Sequence, residues 1–115
     1  MKSVLQTLNL EVGVKGSLVV TRDGLVVHQE IGPPLNPEVV GPVASDAIKN
    51  INGALRQSGS KEFTKFVFTA SFGKMIFHET GESYLVVVLD KAINLEMTML
   101  AISSAARKIK TVSME

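Results

Sequence analysis

The sequence predicts an α+β fold, in which a five-stranded, mostly antiparallel sheet is sandwiched by three helices in the order α-β-β-α-β-β-β-α. The first indication is two groups of segments rich in β-branched residues, each joined by turn residues as in antiparallel hairpins. The second is Tyr84–Asp90 (YLVVVLD), which is apolar at nearly every position, as strands buried on both faces are. The third is a set of three segments with helical spacing, enough to cover both faces of the sheet.

The size and composition of the chain fit one small globular domain spanning residues 1–115. Its 115 residues are 45% hydrophobic and 20% charged, which is neither a disordered nor a fibrous composition. A chain of this length buries roughly two thirds of its surface on folding, which is enough for one core. Twelve basic and eleven acidic residues leave a formal charge of +1, which predicts no nucleic-acid partner.

Missing residue types exclude several kinds of chemistry. Without cysteine, the chain has no disulfide, no thiolate nucleophile and no cysteine-ligated metal. Two histidines leave little material for metal sites or catalytic triads. The first residues lack the apolar centre of a signal peptide, and the longest apolar run, Leu85–Leu89, is far too short to span a bilayer. We therefore expect a soluble, cytoplasmic protein without membrane insertion.

The N-terminal part of the chain predicts a short helix and a hairpin. Residues 2–10 carry apolar side chains on one helical face, and this helix should end near Gly13. Two segments rich in β-branched residues follow, Gly16–Thr21 and Leu25–Glu30. The Arg-Asp-Gly sequence at 22–24 separates them and suits a tight turn, because Asp-Gly accommodates a positive φ.

The middle of the chain predicts one long helix. Asn36 suits the N-cap, Pro37 the first helical position and Glu38 the positive end of the helix dipole. Apolar residues then recur at helical spacing, and the helix should end by Gly59. Pro42 interrupts this pattern, because proline deletes an interior hydrogen bond. Two interpretations stay open: the helix kinks at Pro42, or Pro42 itself opens the main helix.

Three further strands are predicted after this helix. Glu62–Phe72 alternates in character, with aromatic side chains on one side, and Lys74–Glu79 follows it as the next strand. A turn then leads into Tyr84–Asp90. The two most apolar strands, Tyr84–Asp90 and Gly16–Thr21, should lie at the centre of the sheet. The edges then fall to Leu25–Glu30 and Glu62–Phe72.

The last helix is predicted to begin at Asn94, which suits its N-cap. Its buried stripe should comprise Leu95, Met99, Ile102, Ala106 and Ile109. The Met97 and Met99 pair is interpreted as core filling rather than as a binding groove. Three basic residues complement the negative end of the helix dipole: Arg107, Lys108 and Lys110.

Two long segments carry a resemblance to a known family. They are GVKGSLVVTRDGLVV at 13–27 and SYLVVVLDKAINLEMTMLAISSAARKIK at 83–110. A glycine-led strand, an Asp-Gly turn into a second apolar strand, and a late apolar strand running into an Asn-Leu helix start together resemble the dynein light-chain Roadblock family. Within it, the chain is similar to the MglB-type regulators of bacterial and archaeal Ras-like GTPases. The resemblance covers nearly the whole chain and implies one Roadblock-like domain of longin- and profilin-like layout.

The resemblance also implies a homodimer that presents a surface to a partner. In that family the edge strand after the second helix pairs with its own copy, and the second helices lie across the join. These elements correspond here to Glu62–Phe72 and roughly Pro42–Gln57. The residues implied at the dimer interface are Phe63, Lys65, Phe66, Val67, Phe68, Thr69, Ala47 and Ile51. The polar or small positions expected at the partner surface are Asp46, Lys49, Asn50, Asn52, Gly53 and Arg56.

The residues themselves favour the same contacts. Glu62–Phe72 is rich in phenylalanine and free of proline, so an exposed edge of this kind would promote aggregation. Pairing with a copy removes that hazard, whereas the alternative is protection by a bulge and nearby charges; domain swapping also stays open. Gly53 costs roughly 1 kcal/mol relative to alanine inside a helix. Close approach by another backbone would justify this glycine, and the alternative is a tolerated surface position.

No group of residues predicts a catalytic, cofactor or metal site. His28 and His78 fall on strands that should not be neighbours, and the Gly-Val-Lys-Gly sequence at 13–16 lacks the spacing of a phosphate-binding loop. An arginine can stabilise charge during phosphoryl transfer in a partner GTPase, and Arg22, at the hairpin tip, should be the most exposed candidate. The other two candidates are Arg56 and Arg107. The MglB-type proteins that the chain resembles act instead by reshaping the active site of the partner.

The preferred hypothesis is a homodimeric, non-enzymatic module that binds a small Ras-like GTPase of the MglA type and modulates its GTP hydrolysis or localisation. The alternative is a nucleotide-independent structural adaptor of a larger signalling or motor complex. An adjacent small-GTPase gene would favour the first. A small-ligand sensor would need a pocket between sheet and helix, of which the dense Val/Leu/Ile composition gives no sign, and an enzyme has the least support.

Overall fold

The computed structural model describes residues 1–91 and 94–113, and it has the predicted fold. In chain order, the elements are α1 (Lys2–Leu8), β1 (Val14–Thr21), β2 (Val26–Ile31), α2 (Pro37–Gln57), β3 (Lys65–Ala70), β4 (Gly73–Glu79), β5 (Ser83–Leu89) and α3 (Leu95–Ser113). The strands form one antiparallel sheet in the order β2-β1-β5-β4-β3. Both strands expected at the centre, β1 and β5, are therefore interior, and the two strands predicted at the edges, β2 and β3, lie there.

The sheet separates two hydrophobic cores. On one face, α1 and α3 cover side chains that include Ile76, Leu85 and Val87. On the other face, α2 covers Tyr84 and Val86 together with their neighbours on β1 and β4. Successive side chains of a strand point to opposite faces, so β5 contributes to both cores. This confirms the prediction that β5 is buried on both sides.

The long helix α2 runs without interruption through Pro42. Its start is as predicted, since the Asn36 side chain accepts a hydrogen bond from the backbone N–H of Glu38 at 3.0 Å. The interpretation in which Pro42 opens the main helix is therefore wrong. Pro42 lies exposed in the second turn, where its ring faces solvent and its missing N–H removes one hydrogen bond of the helix. The buried residues of α2 are Gly41, Ala44, Ile48 and Asn52.

The third strand is shorter than predicted. It spans Lys65–Ala70 instead of Glu62–Phe72, because Glu62 and Phe63 bond to other parts of the chain and Ser71 and Phe72 form a two-residue turn. Gly73 makes the return into β4 possible. Its φ is +143°, and a Cβ at this position would lie 2.2 Å from the carbonyl oxygen of Leu89.

Smaller differences occur at the first hairpin and the two terminal helices. The second strand is Val26–Ile31 rather than Leu25–Glu30, because the Leu25 carbonyl accepts from Thr21 N at 2.8 Å and so belongs to the turn. The first helix ends at Leu8. At α3, the predicted Asn94 cap is confirmed, since its Oδ1 accepts from Glu96 N at 3.1 Å.

The predicted buried stripe of α3 is confirmed for Ile102, Ala106 and Ile109, against which Leu95 and Met99 pack. Met97 is exposed, so its assignment to the core was wrong. A position two residues after Leu95 falls on the opposite side of the helix, which explains the error. None of the helices in the described part of the chain combines the length and the apolar content that crossing a bilayer requires.

Candidate functional site

The two edges of the sheet differ in how well they are protected against pairing. The ladder between β1 and the edge strand β2 is broken by an irregularity between Val19 and Val20. The Asn9 side chain also donates to the Glu30 carbonyl at 2.9 Å, which occupies one backbone group of β2. The ladder of β3 with β4 runs from Lys65 to Ala70 with no shift of register. Bulges and capped groups are the usual means of preventing edge pairing, and β3 lacks them along this stretch.

The hydrogen-bond pattern shows which backbone groups of β3 point outward. Glu79 N donates to the Thr64 carbonyl at 2.9 Å, so Thr64 belongs to a hydrogen-bonded pair with β4. Such pairs alternate along an antiparallel ladder. The backbone N–H and C=O groups of Lys65, Val67 and Thr69 therefore face away from the sheet. We call these outward groups the open edge.

An exposed apolar strip lies beside the open edge, on the α2 side of the sheet. Phe68 and Phe72 are 42% and 46% exposed, with ring centroids 6.3 Å apart. Phe72 also lines a groove of about 270 Å³ together with Val39 and Val43 of α2, which are exposed as well. The apolar strip thus consists of Val39, Val43, Phe68 and Phe72. A continuous exposed set of this kind is typical of a protein-binding surface.

A second feature is a cluster of hydrogen-bonded side chains that holds the residues preceding β3. We call it the polar network, and it is centred on Arg22, Glu62, Glu79 and Tyr84. Arg22 donates to Glu62 Oε1 at 3.0 Å, to Glu79 Oε2 at 3.1 Å and to the Tyr84 hydroxyl at 2.9 Å. Its Nε also donates to the Gly81 carbonyl at 2.9 Å. The expectation that Arg22 is the most exposed arginine is therefore wrong. A guanidinium held by two carboxylates and a hydroxyl is not available to a partner's phosphates.

Burial and the neighbouring charges together set the protonation states of Arg22 and Tyr84 in the polar network. Burial by itself would lower the pKa of Arg22, but Tyr84 and the hydrogen bonds to Glu62 and Glu79 outweigh it, so the pKa is raised. Burial raises the pKa of Tyr84 despite the opposing effects of Asn52 and Arg22. Tyr84 therefore keeps its proton, which it donates to the Phe63 carbonyl at 2.7 Å.

Asn52 belongs to the polar network and not to the partner surface where the sequence placed it. Its side chain is fully buried, donates from Nδ2 to the Tyr84 hydroxyl at 3.0 Å, and accepts at Oδ1 from Phe63 N at 2.9 Å. The predicted assignment of Asn52 to the partner surface is therefore wrong, because a side chain with no exposed area cannot contact a partner. Its position four residues after Ile48 and eight after Ala44 is the sequence signal that could have identified it.

The residues predicted for the dimer interface fall into three groups. Lys65, Val67 and Thr69 lie on the open edge, and Phe68, next to them, belongs to the apolar strip. Phe66 is half-buried against Phe77, and Ala47 and Ile51 are half-buried on α2 at helical spacing from Val43. Phe63 precedes the strand and stacks on Tyr84, with ring centroids 4.3 Å apart. It therefore supports the polar network instead of lining the edge.

Four of the residues predicted for the partner surface share one face of α2, because they recur every three or four residues. They are Asp46, Lys49, Gly53 and Arg56, which we call the polar face of α2. Asp46, Lys49 and Arg56 are exposed, and Lys49 also lies against the hairpin turn at Gly24. Arg56 forms an ion pair with Glu62, which links this face to the polar network. Asn50 is exposed between the polar face and the apolar strip.

Replacement of Gly53 by alanine is expected to stabilise the isolated protomer. No atom outside the local helix lies within 4 Å of a Cβ built at this position, so the new methyl group meets open space. Alanine is favoured over glycine in a helix by up to about 1 kcal/mol, which raises the melting temperature by a few degrees. Thermal denaturation at a fixed protein concentration measures this change. A lower melting temperature would mean that a second chain occupies the space beside Gly53.

Other candidate sites gain no support as centres of chemistry. His28 and His78 lie on β2 and β4, which are not neighbours, as expected. His78 Nδ1 lies 2.9 Å from the Glu79 carbonyl oxygen. Over residues 1–91 and 94–113, no three or more His, Asp or Glu side chains come together in a way that could hold a metal ion. The best-supported site is therefore a surface for macromolecular contact, made of the open edge, the apolar strip and the polar face of α2.

Comparison with known proteins gives concordant results in sequence and in structure. The family model for the Roadblock/LC7 domain matches residues 2–90. The uncharacterized protein MJ1340 of Methanocaldococcus jannaschii is 33% identical over 109 residues, which cover 95% of this chain and 96% of the relative.

Two solved structures are similar over nearly the whole chain. MglB of Myxococcus xanthus superposes with a TM-score of 0.82 at 16% identity, covering 96% of this chain and 91% of that one. The gliding protein MglB of Thermus thermophilus superposes with a TM-score of 0.80 at 19% identity, covering 96% and 86%. At these identities the likeness shows a common fold.

Proposed function

The chain belongs to the Roadblock/LC7 domain family, and from this premise we propose that it is a homodimeric, non-enzymatic regulator that binds a small Ras-like GTPase of the MglA type. The observation that carries the proposal is the open edge of β3 beside the apolar strip. The whole chain would act as one domain, in the cytoplasm, and modulate GTP hydrolysis or the localisation of the GTPase.

In the proposed homodimer, two copies of β3 pair antiparallel about a two-fold axis at Val67. This register joins all the outward backbone groups and sets Lys65 of one copy opposite Thr69 of the other, so no like charges meet. Phe68 lies on the α2 side of the sheet and would be covered by the partner's strand and helix. The pairing satisfies the free groups of the edge and removes exposed apolar surface from water.

The polar face of α2 is the proposed contact for the GTPase. It carries both charge signs and a glycine that leaves room for another backbone, features suited to a polar, reversible interface. Regulation would act through the conformation of the GTPase, because Arg22 is held by Glu62 and Glu79 and the chain then supplies no arginine from the hairpin. Arg56 would serve as a contact and not as a catalytic group.

A capture experiment tests this function and separates it from its alternative. The immobilised protein is exposed to native lysate of the source organism with magnesium and either GDP or a slowly hydrolysed GTP analogue, and retained proteins are identified by mass. Retention of a Ras-sized GTPase mainly with the analogue is the expected result. Nucleotide-independent retention of a protein that is not a GTPase would contradict it and favour a structural adaptor of a larger complex.

The substitution Lys49→Glu is expected to weaken binding of the captured GTPase by about tenfold. The new carboxylate would either face a like charge of the GTPase or stay without a partner in the contact. Arg56 is a poorer choice for substitution because its loss would disturb Glu62 in the polar network. The matched control is Lys2→Glu, which makes the same change at an exposed position of α1 across the sheet. Isothermal titration calorimetry measures the affinity of each variant for the captured GTPase. Equal affinities for Lys49→Glu and Lys2→Glu would show that the GTPase binds elsewhere.

A further inference from the structure

The outer face of α3 is exposed and lies apart from the surfaces described so far. The helix buries its opposite side, which includes Ile102 and Ile109, against the sheet. On the outer side, Met97 and Leu100 are 72% and 74% exposed. Two such apolar side chains one turn apart form an unpartnered apolar face. Because α3 and α2 cover opposite faces of the sheet, this face is separate from the apolar strip and from the polar face of α2.

Charge is distributed asymmetrically along this face. Glu96 lies in the first turn of α3, beside Met97, while Arg107 and Lys108 lie near the other end. All of these side chains are exposed. The helical rise of 1.5 Å per residue separates Glu96 from Lys108 by about 18 Å. A second copy of the same helix, turned end for end, therefore offers opposite charges at both ends.

We propose that α3 binds α3 of a second copy, antiparallel, about a two-fold axis at the level of Ile102. In this arrangement Glu96 faces Lys108 of the other copy and Met97 faces Arg107, whose aliphatic stem can cover the thioether. Leu100 faces Ser104, a small residue that permits close approach. Two-fold symmetry forms each of these contacts twice.

The groove between α1 and α3 supplies a place for Leu100 of the second copy. Ser104 lines this groove together with Val4, Leu8 and Ala101, and its volume is about 290 Å³. The groove is therefore large enough for a leucine side chain, and its walls combine these apolar side chains with polar ones that include Thr7, Glu11 and Lys108. Insertion of Leu100 opposite Ser104 adds apolar burial to the two ion pairs, which alone would contribute little on an exposed surface.

This contact is independent of the proposed homodimer and extends it. Each protomer would carry two self-complementary surfaces, the open edge of β3 and the outer face of α3. A molecule with two such surfaces links dimers into tetramers or longer arrays. A regulator organised in this way would present several GTPase-binding surfaces together.

Charge-reversed variants of the full chain test the proposal. All of them also carry Val67→Pro, which is designed to remove the β3 contact, and the chain with Val67→Pro alone is the parent. Sedimentation equilibrium is run on Glu96→Lys, on Lys108→Glu and on their equimolar mixture. Each variant alone should associate about tenfold more weakly than the parent, because like charges then face each other twice. The mixture should regain the parental association, since a mixed pair joins the two substituted positions with opposite charges and keeps Glu96 of one copy opposite Lys108 of the other.

The matched control is Lys110→Glu, the same change at the same end of α3. Lys110 lies against Gly81, away from the outer face, so association should be unchanged. A parent chain that does not associate, or a mixture that stays as weak as the separate variants, would overturn the proposal. Failure of the β3 contact gives a different signature, because Val67→Pro would then leave the mass of the native chain unchanged.

Discussion

Replacement of Asn52 by alanine is expected to lower the free energy of unfolding by about 2–4 kcal/mol, a large share of the stability of a small domain. Asn52 is fully buried and uses both ends of its amide, bonding to the Tyr84 hydroxyl at 3.0 Å and to Phe63 N at 2.9 Å. The substitution leaves the partly buried Phe63 N–H without its partner and opens a small cavity at the buried side chain. Chemical denaturation at a fixed protein concentration measures the loss, because self-association would otherwise shift the midpoint.

Two comparisons make this result specific to the amide. Asn50→Ala is the same chemical change two residues earlier on the exposed side of α2, and it should cost less than about 0.5 kcal/mol. Tyr84→Phe removes the hydroxyl that Asn52 contacts, so the double variant should lose less than the sum of the single losses, by about 1 kcal/mol or more. An Asn52 variant as stable as the Asn50 variant, or strict additivity with Tyr84→Phe, would show that the amide does not join α2 to β5.

The same residue shows where sequence reasoning reached its limit. The apolar pattern of the chain predicts each helix and strand and the positions of the two edges, because side-chain burial repeats with the period of the element. Asn52 follows that period, four residues after Ile48, but its polarity suggested exposure. A buried amide is stable only if its partners are present, and these lie 11 and 32 residues away in the sequence, at Phe63 and Tyr84. No local pattern reveals contacts of that range.

Arg22 and the start of β3 were misjudged for the same reason. An arginine in an Asp-Gly turn is usually solvated, yet its carboxylate partners Glu62 and Glu79 lie 40 and 57 residues further along the chain. These contacts draw Glu62 and Phe63 out of the predicted strand, which is why β3 begins at Lys65. The part of the edge that stays regular is the part with no such long-range partner, and this makes it available for pairing.

Replacement of Val67 by proline is expected to break the β3 contact of the proposed homodimer, weakening that contact by about 100-fold or more. The outward N–H of Val67 would bond to the second copy, so proline removes two hydrogen bonds per dimer and introduces its ring at the two-fold axis. Net contributions near 1 kcal/mol per bond, together with the steric clash, account for this magnitude. The ladder within the protomer should survive, because the alternation fixed by Thr64 and Glu79 places the Val67 N–H on the outer side.

Size-exclusion chromatography with light scattering measures the mass of chains that also carry Glu96→Lys, which weakens the proposed α3 contact, and circular dichroism verifies that the fold is retained. Val67→Thr keeps the backbone donor and a β-branched side chain, so it should remain dimeric. Phe68→Glu leaves the backbone intact but places a charge in the apolar strip, so it should reach the monomer by a different route. A dimer that persists in both Val67→Pro and Phe68→Glu would exclude β3 as the site of self-association. Monomers in these two variants and a dimer in Val67→Thr would mean that backbone pairing and burial of phenylalanine act together, as the position of the apolar strip beside the open edge requires.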